Sequence, residues 1–364
     1  MTDIAVLIGS RANWASCAAV VRELESRRMP TTVVCFASAL SDMYGHVADR
    51  IEDAGHSVVR ATSLVAGGDL ADMVATSAMT LSAVGGVLDS LQPSMVYAVG
   101  DRYEVLPAVY AASLLNIPVA HQMGGELTGT IDEHVRHAIT KLSHVHLVAT
   151  AAAKKRVVQM GERRDAVHLV GCPRLDLCRT LDQSAVGEWA DVLVVAMHPV
   201  TSEVYDAGAQ MAEVIGGVIS SSWSGPVHMF WPNSDAGAQE MVHCIRRLRP
   251  DGWHTHRNME PERYLAMLAG CRAIVGNSSS AIREGAYLGT PAVNVGSRQC
   301  SRERGPNVID APPSATAVAA ALDNRLSVGR TGARSELYGD GNAAAAIVSV
   351  LARGAPESQK VWAS

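Results

Sequence analysis

The chain has 364 residues, of which 48% are hydrophobic and 18% charged, with a formal net charge of −5 at pH 7. At roughly 150 residues per domain this is material for about two domains, and the acidic balance excludes a bulk basic footprint for nucleic acid. No apolar run approaches the roughly 20 residues needed to span a bilayer, and Met1-Thr2-Asp3-Ile4 opens no secretory signal, so a cytoplasmic protein with neither a membrane nor a nucleic acid as partner is expected.

Short Val- and Ile-rich runs alternate with longer amphipathic stretches. Residues 3–9 predict a strand, 13–28 a helix, 31–37 a strand, 42–54 a helix and 57–61 a short strand. A helix over 71–91 follows, then a strand over 95–99, a helix over 105–115, a strand over 117–122 and a helix over 131–142. Residues 146–149, 151–160 and 167–171 continue the alternation. The strands are continuous apolar runs, as in parallel sheets buried on both faces. Residues 181–190 are polar and carry an Asp-Gln-Ser cluster, which marks a linker. Strands are then expected at 192–197, 226–231, 252–256, 273–275 and 292–295, with helices at 204–222, 237–248, 261–269, 279–288, 314–326 and 342–353. Two successive βαβ series predict an α/β protein of two doubly wound Rossmann-like domains facing a cleft. The division is 1–180 and 181–353, with 354–364 as a loose tail.

The seven cysteines are odd in number and form no C-x-x-C, so neither a disulfide framework nor a zinc knuckle is indicated. Phe, Trp and Tyr make up only 4% of the chain, so platforms for stacking single-stranded bases are scarce.

Six segments can carry chemistry. Gly9-Ser10-Arg11-Ala12-Asn13 follows the first strand and opens a helix, a geometry that binds anions; it is equally compatible with a plain turn and a surface Arg, and it is not the dinucleotide fingerprint G-x-G-x-x-G. Gly276-Asn277-Ser278-Ser279-Ser280 follows another strand, with Glu284 about one turn on. Three hydroxyls exceed what an N-cap needs, so the segment reads as a diphosphate cradle and Glu284 as an acceptor for a ribose diol. Gly100-Asp101-Arg102, Gly124-Gly125-Glu126 and Asp132-Glu133 bring carboxylates to strand ends or helix starts of the first half, where neighbouring acids can raise one another's pKa for proton abstraction. His198-Pro199-Val200-Thr201 ends the first strand of the second half, and its His can donate to a phosphate, act as an acid or base, or merely cap the strand. His134, His137, His144 and His146 lie close together but lack the H-E-x-x-H arrangement; most read as structural or solvent-facing, and no metal site is assigned.

These segments, in this order, resemble the UDP-N-acetylglucosamine 2-epimerases, and most closely the hydrolysing branch. The resemblance also rests on Arg136-His137-Ala138-Ile139-Thr140-Lys141-Leu142-Ser143-His144, Gly171-Cys172-Pro173-Arg174-Leu175-Asp176, Trp231-Pro232-Asn233 and Val293-Asn294-Val295-Gly296-Ser297-Arg298-Gln299, and runs from Gly9 to Asp310. It implies a glycosyltransferase-B-type fold, a UDP-N-acetylhexosamine substrate, no cofactor and a homodimer. The implied reaction removes the C2 proton and expels UDP, leaving a 2-acetamidoglucal to which UDP or water adds. By motif, Arg11, His198, Ser278, Ser279 and Ser280 would hold the diphosphate and Glu284 the ribose. Asp101, Glu126 and Asp132 would supply acid/base carboxylates, with Glu126 the best-exposed base. Arg136 would order that site and Arg302 would complete the substrate-binding set.

Four departures from the family pattern stand out. His121-Gln122-Met123 replaces the usual His-x-His, the stretch from Glu126 to Asp132 is a residue short, Arg174 stands where Gly is usual, and Cys300-Ser301 replace Lys-Gly or similar. Met123 cannot hydrogen-bond a water as His would, which tips the expected product toward UDP-N-acetylmannosamine rather than free N-acetylmannosamine. The rival readings are a glycosyltransferase of the same fold and an inactive nucleotide-sugar sensor.

Overall fold

A computed structural model describes residues 3–64, 68–330 and 334–360. The first half builds a seven-stranded sheet from β1 (Ile4–Ile8), β2 (Thr31–Ala37), β3 (Val58–Ser63), β4 (Met95–Val99), β5 (Val119–Gln122), β6 (Val145–Val148) and β7 (Val167–Leu169). All pairings are parallel, in the order β3-β2-β1-β4-β5-β6-β7. The connecting helices are α1 (Arg11–Ser26), α2 (Val47–Asp53), α3 (Leu70–Leu91), α4 (Val105–Leu114), α5 (Ile131–Leu142) and α6 (Ala151–Gln159). Successive side chains of a strand point to opposite faces. Ile4, Val6 and Ile8 therefore pack with Cys17, Val20, Val21 and Leu24 of α1, while Ala5 and Leu7 pack with Val84 and Leu88 of α3 and Val105 and Val109 of α4. With both faces covered, the strands need no polar alternation.

After the short helices α7 (Arg174–Arg179) and α8 (Gln183–Gly187), the second half repeats the plan. Its strands are β8 (Leu193–Ala196), β9 (Val227–Phe230), β10 (His254–His256), β11 (Ala273–Gly276), β12 (Ala292–Val295) and β13 (Val308–Ala311). They form a parallel sheet in the order β10-β9-β8-β11-β12-β13. The helices are α9 (Ala207–Ser220), α10 (Ala238–Leu248), α11 (Pro261–Gly270), α12 (Arg283–Leu288), α13 (Ala315–Val328) and α14 (Ala343–Leu351). The expected architecture of two doubly wound α/β domains is the one observed.

Several local expectations change. The 42–54 helix is helical only from Val47, after a 3₁₀ turn. The 279–288 helix breaks into a 3₁₀ turn (Ser279–Ala281) and α12. Neither α7 nor β13 was expected, and α8 interrupts the linker. The last helix was assigned with the second half, but it lies on α1: Ala343, Ala344, Ile347, Val348 and Leu351 complete the core that Ile4, Val6 and Ile8 begin. The segment after α14 is also tied down as far as it is described, since Lys360 Nζ donates to Lys141 O at 2.8 Å and pairs with Glu162 at 2.7 Å; residues 361–364 lie outside the described residues. Among the described residues one helix is long and apolar enough, by length and composition alone, to cross a membrane, against the reading that no apolar run is long enough. It is α3, with 22 residues and a mean hydropathy of 1.3 over its most apolar 18-residue window, because its Ser, Thr and Gly lower the average only a little. α3 packs along α4 and buries Thr76, Thr80, Val84 and Leu88.

Each sheet reverses its strand order once, between β1 and β4 and between β8 and β11. Crevices open at the carboxyl ends of the strands at such points. The two ends carry Gly9–Arg11 and Gly100–Arg102 in the first domain, and Met197–His198 and Asn277–Ser279 in the second.

Candidate active site

Local hydrogen bonding fixes both switch points. Ser10 caps α1, accepting the Asn13 N–H at 3.3 Å, and Asn13 Nδ2 donates to Val99 O at 3.0 Å. The turn carrying Arg11 is thereby fastened to the end of β4, next to Asp101. Across the cleft, the His198 N–H donates to Asn277 Oδ1 at 2.8 Å and Asn277 Nδ2 donates back to His198 O at 2.8 Å. Gly276 has φ +132°, and a Cβ there would lie 2.2 Å from Ala196 O, so only glycine lets β11 approach β8 this closely.

Between the two points lies a cavity of about 250 Å³ lined by Arg11, Asp101, His198, Ser278, Ser279 and Arg298, among others. Arg11 reaches across the cleft and donates to the carbonyls of Trp231, at 2.9 Å, and Arg257. Among the described residues it has no carboxylate partner. His198 is buried; burial, followed by the nearby Arg298, Arg11 and Arg102, pushes its pKa well below the usual value, so the ring is neutral. Its Nδ1 accepts the Asn233 N–H at 3.2 Å, which leaves the ring proton on Nε2. His198 is therefore a fixed neutral donor. Ser280, expected beside Ser278 and Ser279 in the cradle, also lines the cavity, but its hydroxyl is engaged by Tyr264 Oη at 2.5 Å and Ser278 Oγ at 2.9 Å.

The three carboxylates differ sharply. Arg136, fully buried behind the wall, donates to Asp101 through Nε at 3.0 Å and through Nη2, and to the Glu126 backbone carbonyl at 2.7 Å. Burial alone would raise Asp101, but Arg136, Arg302 and Arg283 hold it well below the usual carboxylate range. Glu126 was expected to be the best-exposed base. It is instead 2% exposed, and its Oε2 accepts Arg283 Nη2 at 2.6 Å and Arg302 Nη1 at 2.5 Å from the other domain. These arginines outweigh burial and lower its pKa, which makes it a poor proton acceptor. Asp132 behaves oppositely: burial and the nearby Asp101 charge raise it to about 6, against a weaker pull from Arg298, whose Nη2 is 3.4 Å away.

The cavity thus brings together Arg11, Asp101, His198, Ser278, Ser279 and Ser280, whereas Glu126, Asp132, Arg136, Arg302 and Glu284 are not part of its lining. Arg302 is a partner of Glu126, and Glu284 is an ion-pair partner of Arg174. Sequence reasoning missed Arg298, Arg283, Asn233 and Arg174, all of which line the cavity. Arg298 and Asn233 sat in quoted motifs just after strand ends, which was the available signal. Arg283 carried none beyond its place beside Glu284.

Met123 lines the cavity, as the sequence placed it, and holds φ +69°, an unusual conformation for a side chain without a short polar group. His121 is remote from such a role: its Nε2 meets Gly100 O at 2.8 Å, and burial lowers it to about 4. His146 pairs with Glu162 at 3.0 Å. Among the described residues no group of three or more His, Cys, Asp or Glu side chains is arranged to hold a metal ion. Of the cysteines, only Cys300 is exposed.

Comparison with known proteins agrees with this architecture. Residues 22–352 match the family model described as UDP-N-acetylglucosamine 2-epimerase. A UDP-N,N'-diacetylbacillosamine 2-epimerase (hydrolyzing) from Legionella pneumophila is 34% identical, over 93% of this chain and 92% of that protein. A UDP-N-acetylglucosamine 2-epimerase from Neisseria meningitidis is 31% identical, over 69% of this chain and 68% of that protein. Among solved structures, the Methanocaldococcus jannaschii UDP-GlcNAc 2-epimerase in complex with UDP-GlcNAc and UDP superposes with a TM-score of 0.78 at 15% identity, covering 97% of this chain and 100% of that one. At that identity the likeness carries the fold alone. The sequence matches carry more, and with both domains and both switch points accounted for, this chain belongs to the UDP-N-acetylglucosamine 2-epimerase family.

Proposed function

We propose that the cleft binds a UDP-2-acetamidohexose and epimerises it at C2 through elimination. The observation that carries this reading is a cavity that holds a diphosphate-binding set together with Asp101, with a second carboxylate of higher proton affinity, Asp132, outside the lining but near enough to feel the Asp101 charge. Arg11, His198, Ser278 and Ser279 hold the diphosphate: a cation without a carboxylate partner, a neutral Nε2–H donor and two hydroxyls. The first domain supplies the acid/base groups and the second most of the nucleotide contacts.

A carboxylate takes the C2 proton, the C2–H electron pair forms the C1–C2 double bond, and the C1–O bond breaks with its pair leaving on UDP. Asp132, raised to about 6, is the group best matched to exchange a proton near neutral pH. Asp101, held ionised by Arg136, stabilises positive charge and orients the sugar. Glu126 acts on this site through its arginines. We further propose that water, not UDP, adds to the glycal, giving free 2-acetamido sugar and UDP. The hydrolyzing enzymes from Legionella pneumophila and Campylobacter jejuni, 34% and 26% identical, support this against the lean that Met123 gave toward UDP re-addition.

The test is UDP-GlcNAc with purified protein in D2O, without acceptor, followed by NMR. Deuterium at C2 with irreversible UDP release is expected. No exchange at C2 would favour a transferase or a sensor, and deuterated UDP-ManNAc without free UDP would overturn the hydrolytic outcome. The homodimer remains part of the proposal. The outer face of α3 and α4, where Val74, Met79, Tyr110 and Leu114 are exposed, is where a second copy would seat; Val74→Asp should then halve the mass seen by light scattering.

A further inference from the structure

The stretch after α14 runs back over the first domain to the carboxyl end of α5. Lys360 Nζ donates to the carbonyls of Lys141 at 2.8 Å and Thr140 at 3.4 Å, and pairs with Glu162 Oε2 at 2.7 Å. Two residues earlier the Ser358 carbonyl accepts from His144. Nδ1 of that ring takes the Val119 N–H at 3.2 Å, which leaves the ring proton on Nε2, 2.9 Å from Ser358 O. Ser143 Oγ donates to Ile139 O at 2.7 Å. A helix leaves its last four carbonyls without intrahelical donors. In α5 three of them, those of Ile139, Thr140 and Lys141, are met in this way, two by one ammonium placed where the helix dipole favours a cation. Glu162 anchors the ammonium. Its side chain is 2% exposed; burial alone would raise its pKa, but hydrogen bonds from His146, Lys141 and Lys360 hold it at about 2.

Two routes lead from this contact to the acid/base groups. The first is α5 itself, 12 residues and about 18 Å long, with Asp132 in its first turn and Arg136, the partner of Asp101, in its middle. The second starts at Thr140, whose Oγ1 donates to Arg136 O at 3.0 Å and lies 3.3 Å from His121 Nδ1. His121 Nε2 in turn donates to Gly100 O at 2.8 Å, one residue before Asp101. We infer that Lys360 is a positioning residue for the chemistry at C2, with residues 358–360 as the latch that fixes the far end of α5 and, through it, Asp132 and Arg136. The inference rests on the proposal that Asp132 and Asp101 serve proton transfer at C2. Lys360 does not line the cavity, so it acts through α5 and not on the substrate. A helix moves as a rod, and a general base must stay within hydrogen-bond reach of the proton it takes. The diphosphate set of Arg11, His198, Ser278 and Ser279 sits on other elements, so release of the latch disturbs turnover and spares nucleotide affinity.

Lys360→Met and Lys360→Arg in the full chain test this. The readouts are C2 deuterium exchange with UDP-GlcNAc, calorimetry with UDP, and amide hydrogen exchange over α5. The Met variant should lower kcat about tenfold, within the range that misplaced catalytic groups cost. It should leave KM and the UDP dissociation constant within about twofold and speed exchange of the α5 amides. The Arg variant keeps the cation on Glu162 and should recover most of the rate and of the protection. Lys360→Gln can donate to the same carbonyls without the charge; it should fall between the two, and it decides the matter if the Met variant does not fold. In an active enzyme, unaltered kcat in the Met and Gln variants, or a loss of UDP affinity equal to the loss of kcat, overturns the assignment alone. If the unaltered protein exchanges no deuterium at C2, the reading of the cleft falls and takes the assignment with it.

Discussion

Asp132→Asn removes one ionisable group while keeping its shape, and it separates proton chemistry from folding. In the folded chain Asp132 titrates near 6 against an ordinary 3.8, because burial and then Asp101 disfavour its charge. The unfolded chain releases this proton first. Between 3.8 and about 6 the native state holds a proton that the unfolded state has lost, so stability falls as pH rises through that window and stays lower above it. At about 1.4 kcal/mol per pH unit the difference is about 3 kcal/mol at pH 8, an upper figure because the group couples to Asp101. The Asn variant escapes this cost. It should be more stable than the unaltered protein at pH 8 and gain little near pH 4, read from urea midpoints. At the same time C2 deuterium exchange should fall by about 10²-fold or more, the scale of a lost general acid or base. In the unaltered enzyme kcat/KM should rise with pH through about 6 as Asp132 ionises. Asp101→Asn should move that limb down and Arg298→Met should move it up, since Asp101 raises and Arg298 lowers the group. Wild-type exchange in Asp132→Asn, or no stability gain at pH 8, refutes the reasoning.

Glu126→Gln leaves Arg283 and Arg302 facing one another without their shared charge; it should cost about 3–5 kcal/mol of stability, visible as a lower urea midpoint. His198→Ala should slow turnover by about 10²-fold, the scale of a lost transition-state donor, and by the same factor at pH 6 and pH 8 because the ring is neutral throughout. Gly276→Ala forces a Cβ to within 2.2 Å of Ala196 O at φ +132°, so a loss of at least about 1–3 kcal/mol from backbone strain, with clash added, should appear in thermal melts.

The fold was legible because its signals are local. Continuous apolar runs such as Ile4–Ile8 and Met95–Val99 announce parallel strands wherever they fall, and the glycines and serines after them announce turns. The pairing of those turns into two switch points was legible only in outline. β13 (Val308–Ala311) escaped because it is four residues long at a sheet edge and its exposed Asp310 interrupts the apolar run. The return of α14 to the first domain escaped because an apolar helix face does not say which core it completes. In the site, residue types were readable but protonation was not. Glu126, set off by two glycines, reads as exposed; its burial comes from Arg283 and Arg302, 157 and 176 residues away in sequence. No spacing rule reaches that far.

The charges that cross the cleft explain why, in the proposed mechanism, proton chemistry would settle on Asp132. Arg283 and Arg302 reach Glu126, Arg102 reaches Asp235 at 2.9 Å, and Arg298 reaches Asp132 at 3.4 Å. Each pair joins one domain to the other, so the ionisation of these acids is coupled to the contact between the domains. A carboxylate held by two guanidiniums at hydrogen-bond distance, as Glu126 is, stays ionised and does not exchange. Asp101, on which Arg136 converges, is likewise fixed. Asp132 has one arginine at a longer distance and a like charge beside it, so compensation is weakest there and the proton is held most tightly. Substrate entry at the proposed site would strengthen this contrast. On the proposed function, a diphosphate at Arg11 would add negative charge to the cleft and draw on Arg298, which also donates to Asn277 O at the edge of the Ser278 segment. Any weakening of the Arg298–Asp132 contact raises Asp132 further, toward the pH at which a carboxyl group can both take a proton from carbon and return one.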